Sequence, residues 1–457
     1  LQANLPCYQQ ANFQYQTRMR KEIIETIKLS IPIIIAQLGV TLMGMTDNLM
    51  VGRFLGAVPL GAAGLANSLS FLMSSIGVGG LGVVAALVSQ AKGQDNTTEI
   101  GKLFRAGLIV SIILGIGLGL AGMLMGVWLK LFGQTAEVTR LTRPFLYILS
   151  ISTLPLLVFV AARQLADGLS LTRVAMFVTV SALIVNAFFN WALINGIAFF
   201  PKMGLNGSAV ATLLARVYMA LAILAYIYKS RHFDSYLTAS RQQELKQLVK
   251  KILQLGIPIG FQFFFEIAAF SLAVVLIGWL GENQLAAHQI AINMASTTYM
   301  MATGIASAGA IRVGRAYGEK NPFKVKQAGT AALLLTVAFM GVWCVTFLTC
   351  NEFLVSLYLK NTPEVTSIAA TLMIYAGFFQ LSDGIQVTAL GALRGLTDVN
   401  VPTVITLIAY WVISLPLSYF LAFTFKMDVE GVWVSLSAGL TFSAVFLTIR
   451  FYRMTKT

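Results

Sequence analysis

Charge, histidine and cysteine are all scarce in this chain, and each scarcity excludes a class of protein. Only 11% of its 457 residues are Asp, Glu, Lys or Arg, against about 25% in a soluble domain. With 57% hydrophobic residues and a mean hydropathy of +0.78, the composition suits lipid as the solvent. Two histidines (His232, His288) and three cysteines (Cys7, Cys344, Cys350) are too few and too scattered for a zinc site or a disulfide framework. All three thiols are expected to be free. No GxxxxGK[ST] loop occurs, which removes ATP as a direct energy source. The glycine run Gly77–Gly82 follows no strand pattern and reads as a device for close helix packing. No ligand array or nucleophile–base pair is visible, so neither an enzyme nor a resident cofactor is expected. The net charge is +14, but nucleic-acid binding needs a clustered basic face. Here the basic residues fall in short gaps between apolar runs, as on the cytoplasmic side of a membrane protein.

What the sequence does have is apolar runs of membrane-spanning length. About 20 mainly apolar residues cross the hydrocarbon core as a helix. Twelve runs qualify: Leu29–Val51, Leu60–Val88, Phe104–Trp128, Phe145–Ala162, Val174–Ile194, Ser208–Tyr228, Leu253–Leu280, Ala286–Ala310, Ala328–Phe347, Ile368–Leu393, Val401–Phe423 and Val432–Ile449. With the N-terminus inside, 24 of the 32 Lys and Arg fall on the inner side and seven in the outer loops, while Arg216 lies within a span. That bias follows the positive-inside rule and places both termini in the cytoplasm. The first twenty residues are polar and lack an apolar core, so they are not a signal peptide. Because MRKEIIETIKLSIP from Met19 reads like a natural start, residues 1–18 are expected to be an extension without a fold of their own.

The two halves resemble each other. Pro32 in LSIPIIIAQ parallels Pro258 in LGIPIGFQF, and Asn67 parallels Asn293, both at a shift of 226. Gly93 in SQAKGQDN parallels Gly318 in GRAYGEKN at 225, and Gly168 in LADGLSLT parallels Gly395 in ALRGLTDV at 227. Six spans per half is an even number, so both halves enter the membrane in the same direction. Their pseudo-two-fold axis is then expected along the membrane normal. The expected fold is an all-α polytopic membrane protein of twelve transmembrane helices in two six-helix lobes. The lobes would comprise residues 19–228 and 252–457, joined by a basic cytoplasmic linker over 229–251.

An ionisable residue inside the bilayer costs at least about 2.5–3.5 kcal/mol, so it needs a partner or a function. Glu266 in FQFFFEIAAF, Asp383 in FFQLSDGIQVTAL and Asp47 in GMTDNLMVG all lie within spans, and none has a basic residue within one helical turn. Such carboxyls can exchange H⁺ or hold Na⁺ with neighbouring oxygens. The plainer alternative is a protonated acid bonded to a carbonyl, or one facing water at a helix end. Asn186 and Asn190 share a face of the fifth span, where they could complete an oxygen-rich site or merely tie helices together. The aromatics flanking Glu266 suit a greasy cation through cation–π contact. His288 is isolated and reads as a helix-contact residue.

The segments TDNLMVGRFLG, LADGLSLT, FFFEIAAF, LAAHQIAIN, SAGAIRVGRAYGE and ALRGLTD resemble the multidrug and toxic compound extrusion (MATE) family, particularly its NorM-like branch, from about Met19 to the C-terminus. The resemblance implies a two-lobed antiporter in the bacterial inner (plasma) membrane. It would be a monomer that exports small organic cations in exchange for Na⁺ or H⁺, the coupling ion being a monovalent cation. By the same resemblance, Glu266, Asp383 and Tyr299 serve cation coupling in the second lobe, and Asp47, Asn186, Asn190 and Thr212 in the first; either set could hold Na⁺. Phe263, Phe264, Tyr299 and Phe379 would contact substrate. Asn190 is an acid in some branches, which lowers first-lobe charge here, and Phe379 stands where relatives can carry a tyrosine. A flippase of lipid-linked saccharides is the rival reading, but it would favour a cationic cavity over these acids. A dedicated exporter of a single metabolite is the other.

The charge count makes a direct prediction. With the native cysteines replaced, a single Cys at Ser240 should resist a membrane-impermeant thiol reagent in right-side-out vesicles and react in inverted ones. The opposite pattern would reverse the orientation.

Overall fold

Hydrocarbon offers no hydrogen-bond partner to a peptide group, so the expected runs should all be helical, and they are. The computed structural model describes residues 7–129, 135–197, 200–238, 245–358 and 363–456, with no strand among them. Twelve long helices follow one another: α1 (Cys7–Leu55), α2 (Ala57–Gly93, broken at Gly82), α3 (Thr97–Val127), α4 (Ala136–Gly168), α5 (Thr172–Asn195) and α6 (Leu205–Lys229), then α7 (Leu245–Gly278), α8 (Glu282–Gly318), α9 (Pro322–Thr349), α10 (Pro363–Gly395), α11 (Asn400–Thr424) and α12 (Asp428–Met454). Short helices at Asp234–Thr238 and Asn351–Ser356 precede α7 and α10. Each expected span lies within one of these helices to within two residues.

Eleven of the twelve are long and apolar enough to cross a membrane by composition. The exception, α8, has 37 residues, ample length at 1.5 Å per residue, but its sequence is interrupted by Gln284, His288, Gln289, Asn293 and a Ser/Thr series. Two of these polar side chains, His288 and Thr298, are buried.

The packing is inverted relative to a water-soluble bundle. On α3 the small residues Gly107, Ser111, Gly115, Gly119, Gly122 and Gly126 are buried, while Ile112, Ile116, Leu120 and Leu124, four apart, are exposed. Burying large apolar groups gains nothing in lipid, so the helices instead bring backbones close through small residues. At Gly119 an added Cβ would sit 2.9 Å from the Ser150 carbonyl oxygen of α4.

Contacts divide the chain into two compact units. One comprises α1 up to Ile34 together with Ala268–Thr457; the other is Ile35–Ile267. The linker expected at 229–251 is therefore not where the units part. Both α1 and α7 are continuous helices that contribute their two ends to different units. Residues 245–251 of that linker are the opening turns of α7, and 239–244, with the Ser240 labelling position, lie outside the described residues. The expected extension also changes: α1 begins at Cys7, because no Gly or Pro interrupts the chain from there until Pro32. Residues 1–6 lie outside the described residues.

Within each unit the helices pair alike. In one, α2 packs on α3 and α4, α3 on α4, α4 on α6, and α5 on α6; in the other the same pairings recur with every label raised by six. The short turns repeat too. Asp95 and Lys320 both take positive φ (53° and 54°), and the next residue in each case, Asn96 or Asn321, caps the following helix by accepting from the Glu99 or Lys324 N–H at 3.0 Å. Side-chain oxygens at this position satisfy amides that the helix leaves free. Ser170 and Thr397 repeat the pattern at φ 66° and 59°, with six-residue closures Leu171 N–H to Ala166 O and Asp398 N–H to Leu393 O, the Schellman geometry. The repeat first seen as letters is thus a repeat of turns.

One pair of positions explains its glycines. A Cβ on Gly168 would meet the Ala85 carbonyl oxygen at 2.8 Å, and one on Gly395 the Ala310 carbonyl oxygen at 2.6 Å. The obstacle is backbone in both cases and cannot rotate aside. Gly168→Ala and Gly395→Ala should each destabilise the protein by about 1–3 kcal/mol, read as a lowered midpoint of thermal unfolding in detergent. Gly117→Ala, which meets nothing within 4 Å, is the control.

Candidate functional site

The best-defined polar site lies wholly inside the unit Ile35–Ile267. α1 brings Asp47, α5 brings Asn186 and Asn190 four residues apart on one face, and α6 brings Thr212. The Asp47 Oδ1 accepts from Asn186 Nδ2 at 3.0 Å and Asn190 Nδ2 at 2.6 Å, and its Oδ2 accepts from Thr212 Oγ1 at 2.8 Å. All four side chains are buried. The Asn186 and Asn190 amide oxygens are buried without a hydrogen-bond partner. Rotating either amide would exchange a donated N–H for a carbonyl oxygen. The donor set for a cation is then a carboxylate, two amides and a hydroxyl, all hard oxygens suited to Na⁺ and not to a soft transition metal. Among the described residues no group of three or more His, Cys, Asp or Glu is arranged to hold a metal. The four residues named for the first lobe are thus brought together.

One member of this neighbourhood escaped the sequence reading. Arg216 lies one turn beyond Thr212 on α6. Its Nη1 donates to Ser152 Oγ of α4 at 2.6 Å. The signal was available: Arg216 is the one basic residue near the middle of an apolar run, and an arginine mid-span needs a partner as much as an acid does.

The other named residues are distributed differently. Glu266 lies on α7 at the edge of the same unit and is 7% exposed. Its neighbour Phe263 packs over Gly79 of α2, where a Cβ would meet the ring at 2.6 Å. Phe264 and Phe265 meet edge to face at 5.5 Å. Asp383, on α10, belongs to the other unit and is 5% exposed. Tyr299 of α8 packs there against Ala302, Ala306, Met340 and Val387, and Thr298 beside it hydrogen-bonds Gln380 of α10. Phe379 is 2% exposed, with ring partners Trp433 at 5.3 Å and Phe270 at 6.2 Å. Aromatic neighbours on α7 and α12 take up its faces, so it is a core residue of this unit. His288 lies at Trp433, 5.7 Å between rings, a helix contact as expected.

Three neutral donors surround the Asp47 carboxylate, and removing one exposes a buried acceptor. Asn190→Leu should cost about 1.5–3 kcal/mol in thermal unfolding, whereas Asn195→Leu on the same helix, a half-buried side chain that bonds only the Trp191 carbonyl one turn back, should change little.

Comparison with known proteins agrees with this architecture. The family model MatE matches residues 32–192 and again 258–420, the two matches starting 226 residues apart, the shift of the internal repeat. The chain is 34% identical over 437 residues to the probable multidrug resistance protein NorM of Rhizobium meliloti, covering 94% of this chain and 93% of that one. It is 32% identical to the protein of the same description in Acinetobacter baylyi, covering 95% and 96%. Among solved structures, the eukaryotic MATE transporter AtDTX14 superposes with a TM-score of 0.86 at 20% identity, covering 96% of this chain and 98% of that chain. The Vibrio cholerae MATE transporter VcmN in its bent form gives 0.82 at 17%, covering 96% and 98%. A twelve-helix membrane protein built from two copies of one six-helix pattern, each copy matched by the same family model, belongs to the MatE family of transporters.

Proposed function

We propose that this protein is a multidrug efflux antiporter of the inner (plasma) membrane that expels lipophilic organic cations from the cytoplasm in exchange for Na⁺ or H⁺. The observation that carries the reading is the burial of two acids, Glu266 and Asp383, within apolar spans. Its second support is nearly full-length similarity to proteins described as probable multidrug resistance proteins.

The mechanism follows from hydration. A lipophilic cation entering the protein loses water, and a carboxylate with aromatic faces replaces those interactions. Glu266 and Asp383 supply charge, and Phe263, Phe264 and Tyr299 supply rings. A coupling cation arriving at the same carboxylates weakens the hold on the cargo, and the antagonism is mutual because binding free energies are linked. Glu266 in one unit and Asp383 with Tyr299 in the other are cation-handling residues, and so are Asp47, Asn186, Asn190 and Thr212. Both termini face the cytoplasm and the monomer is the working unit, since one chain already holds both repeats.

The test is proteoliposome transport of a fluorescent organic cation under separately imposed Na⁺ and H⁺ gradients. One or both gradients should drive uptake into inverted vesicles, and Glu266→Gln or Asp383→Asn should abolish it while the purified variants remain folded. At equilibrium, Na⁺ or low pH should weaken cation binding, and the double variant should lose this dependence. Folded double variant that still pumps at the normal rate would refute the coupling role. Tight preference for an anionic ligand would favour a saccharide-lipid flippase instead.

A further inference from the structure

The two helices that are divided between units are held differently at their N-terminal arms. The arm of α7 lies on α2 inside the unit Ile35–Ile267, and there backbone meets backbone. A Cβ on Gly256 would sit 2.6 Å from the Gly80 carbonyl oxygen, and one on Gly80 would sit 3.0 Å from that of Gly256. Gly260, one turn further on, faces the Ile76 carbonyl oxygen in the same way, and Phe263 covers Gly79. The arm of α1, up to Ile34, lies on α8 in the other unit. At the repeat shift of 226, Ser30 and Ala306 stand where α7 and α2 have their facing glycines, and one glycine remains, Gly304 against Ile34. Side chains do most of the holding here. Leu29 and Ile33 pack on Ala308 and Ile311, and the Glu22 Oε2 accepts from Arg312 twice, from Nε at 3.0 Å and from Nη2. In lipid, helices associate through close backbone approach, which the α7 arm makes at a run of glycines and the α1 arm at one.

The Glu22–Arg312 pair is built to open. Its side chains are 19% and 20% exposed, so water and salt reach it and neither charge is stranded when the two separate. Neighbouring charges pair within their own helices, Glu25 with Lys28 on α1 at 3.2 Å and Arg315 with Glu319 on α8 at 3.4 Å, whereas this pair crosses from one helix to the other. At a shift of 226 its two positions become Leu248 and Ala86, both buried and neither able to respond to salt. We propose that the N-terminal arm of α1 is a releasable strap on α8, fastened by the Glu22–Arg312 ion pair, while the arm of α7 is a fixed joint on α2. The inference deepens the antiport reading and rests on it for its consequence alone. An antiporter alternates between two states, and a strap that unfastens and refastens gives two positions to the start of the helix that carries Asp47.

The experiment measures the rate of maleimide labelling of one cysteine at each joint, in purified and otherwise cysteine-free protein in detergent. Ile311→Cys reports on the α1 arm, which packs over it. Ile259→Cys reports on the α7 arm, where the Ile259 carbonyl oxygen faces Gly79. Both native side chains are buried, so both cysteines should label slowly. Glu22→Gln or Arg312→Gln should raise labelling of Ile311→Cys about fivefold and leave Ile259→Cys unchanged. The exchanged pair, Glu22→Arg with Arg312→Glu, should return Ile311→Cys to the slow rate, which a packing defect would not allow. Raising salt to molar concentration should speed labelling of Ile311→Cys in the parent and not in Glu22→Gln. Labelling of Ile311→Cys that ignores both neutralisations and salt overturns the proposal. So does an equal rise at Ile259→Cys, the sign of general loosening, or an exchanged pair that stays fast. Labelling needs neither gradient nor substrate, so failure of the antiport reading would show in the proteoliposomes and leave this result standing.

Discussion

A peptide group placed in hydrocarbon finds no water, and almost every feature of this protein follows from that single constraint. Each span must satisfy its own backbone hydrogen bonds, which a helix does and an isolated strand does not. The helices then have no hydrophobic incentive to associate, since lipid is as apolar as leucine. They associate where backbones approach closely, which is why α3 buries its glycines against α4 and turns Ile116, Leu120 and Leu124 outward. Prolines are tolerated on the same terms. Pro32 and Pro258 sit inside α1 and α7, each breaking one hydrogen bond in a helix whose neighbours hold it in place.

The same constraint makes charge inside the spans meaningful. In water, Asp47 and Arg216 could each be solvated separately. Inside α1 and α6 they must be served by other side chains, and the structure supplies Asn186, Asn190 and Thr212 to one and Ser152 to the other. Donors from α5 and α6 hold the carboxylate of α1, and a hydroxyl of α4 accepts from the guanidinium of α6.

The fold was largely legible because membrane helices announce themselves by length and composition, and because the repeat preserved Pro32/Pro258, Gly93/Gly318 and Gly168/Gly395. The first-lobe site was legible by resemblance, and the structure brings its four residues together. Three things were not. The division of α1 and α7 between compact units leaves no mark in composition, since a helix reads the same whichever partners it packs against. Phe379, taken from the resemblance as a substrate contact, has its ring against Trp433 of α12 and Phe270 of α7, neighbours that the pattern of its own helix does not reveal. Arg216 was set aside as the remainder of a topology count. The positive-inside rule weighs only loops, so it passes over the one cation whose position inside a span makes it informative.

The repeat itself separates what the fold requires from what the chemistry requires. Positions that shape the backbone recur in both halves: the left-handed turn residues Asp95 and Lys320, the capping Asn96 and Asn321, the close-packed Gly168 and Gly395. Chemical identity is not kept even among these, since Asp95 and Lys320 are opposite in charge; only the conformation is. The charged groups within the spans recur nowhere. At a shift of 226, Asp47 corresponds to Ala273, Arg216 to Phe442, Asp383 to Leu157 and Glu266 to Val40, every one apolar. A carboxylate in hydrocarbon is costly, so it persists only where a partner or a function holds it, whereas a turn glycine persists wherever two backbones must touch. The two halves therefore share a scaffold whose turns and close approaches are kept in duplicate, while the ionisable groups inside the spans break its symmetry, because backbone geometry must be met wherever two helices touch and a charge in hydrocarbon must be met only where its own partners stand.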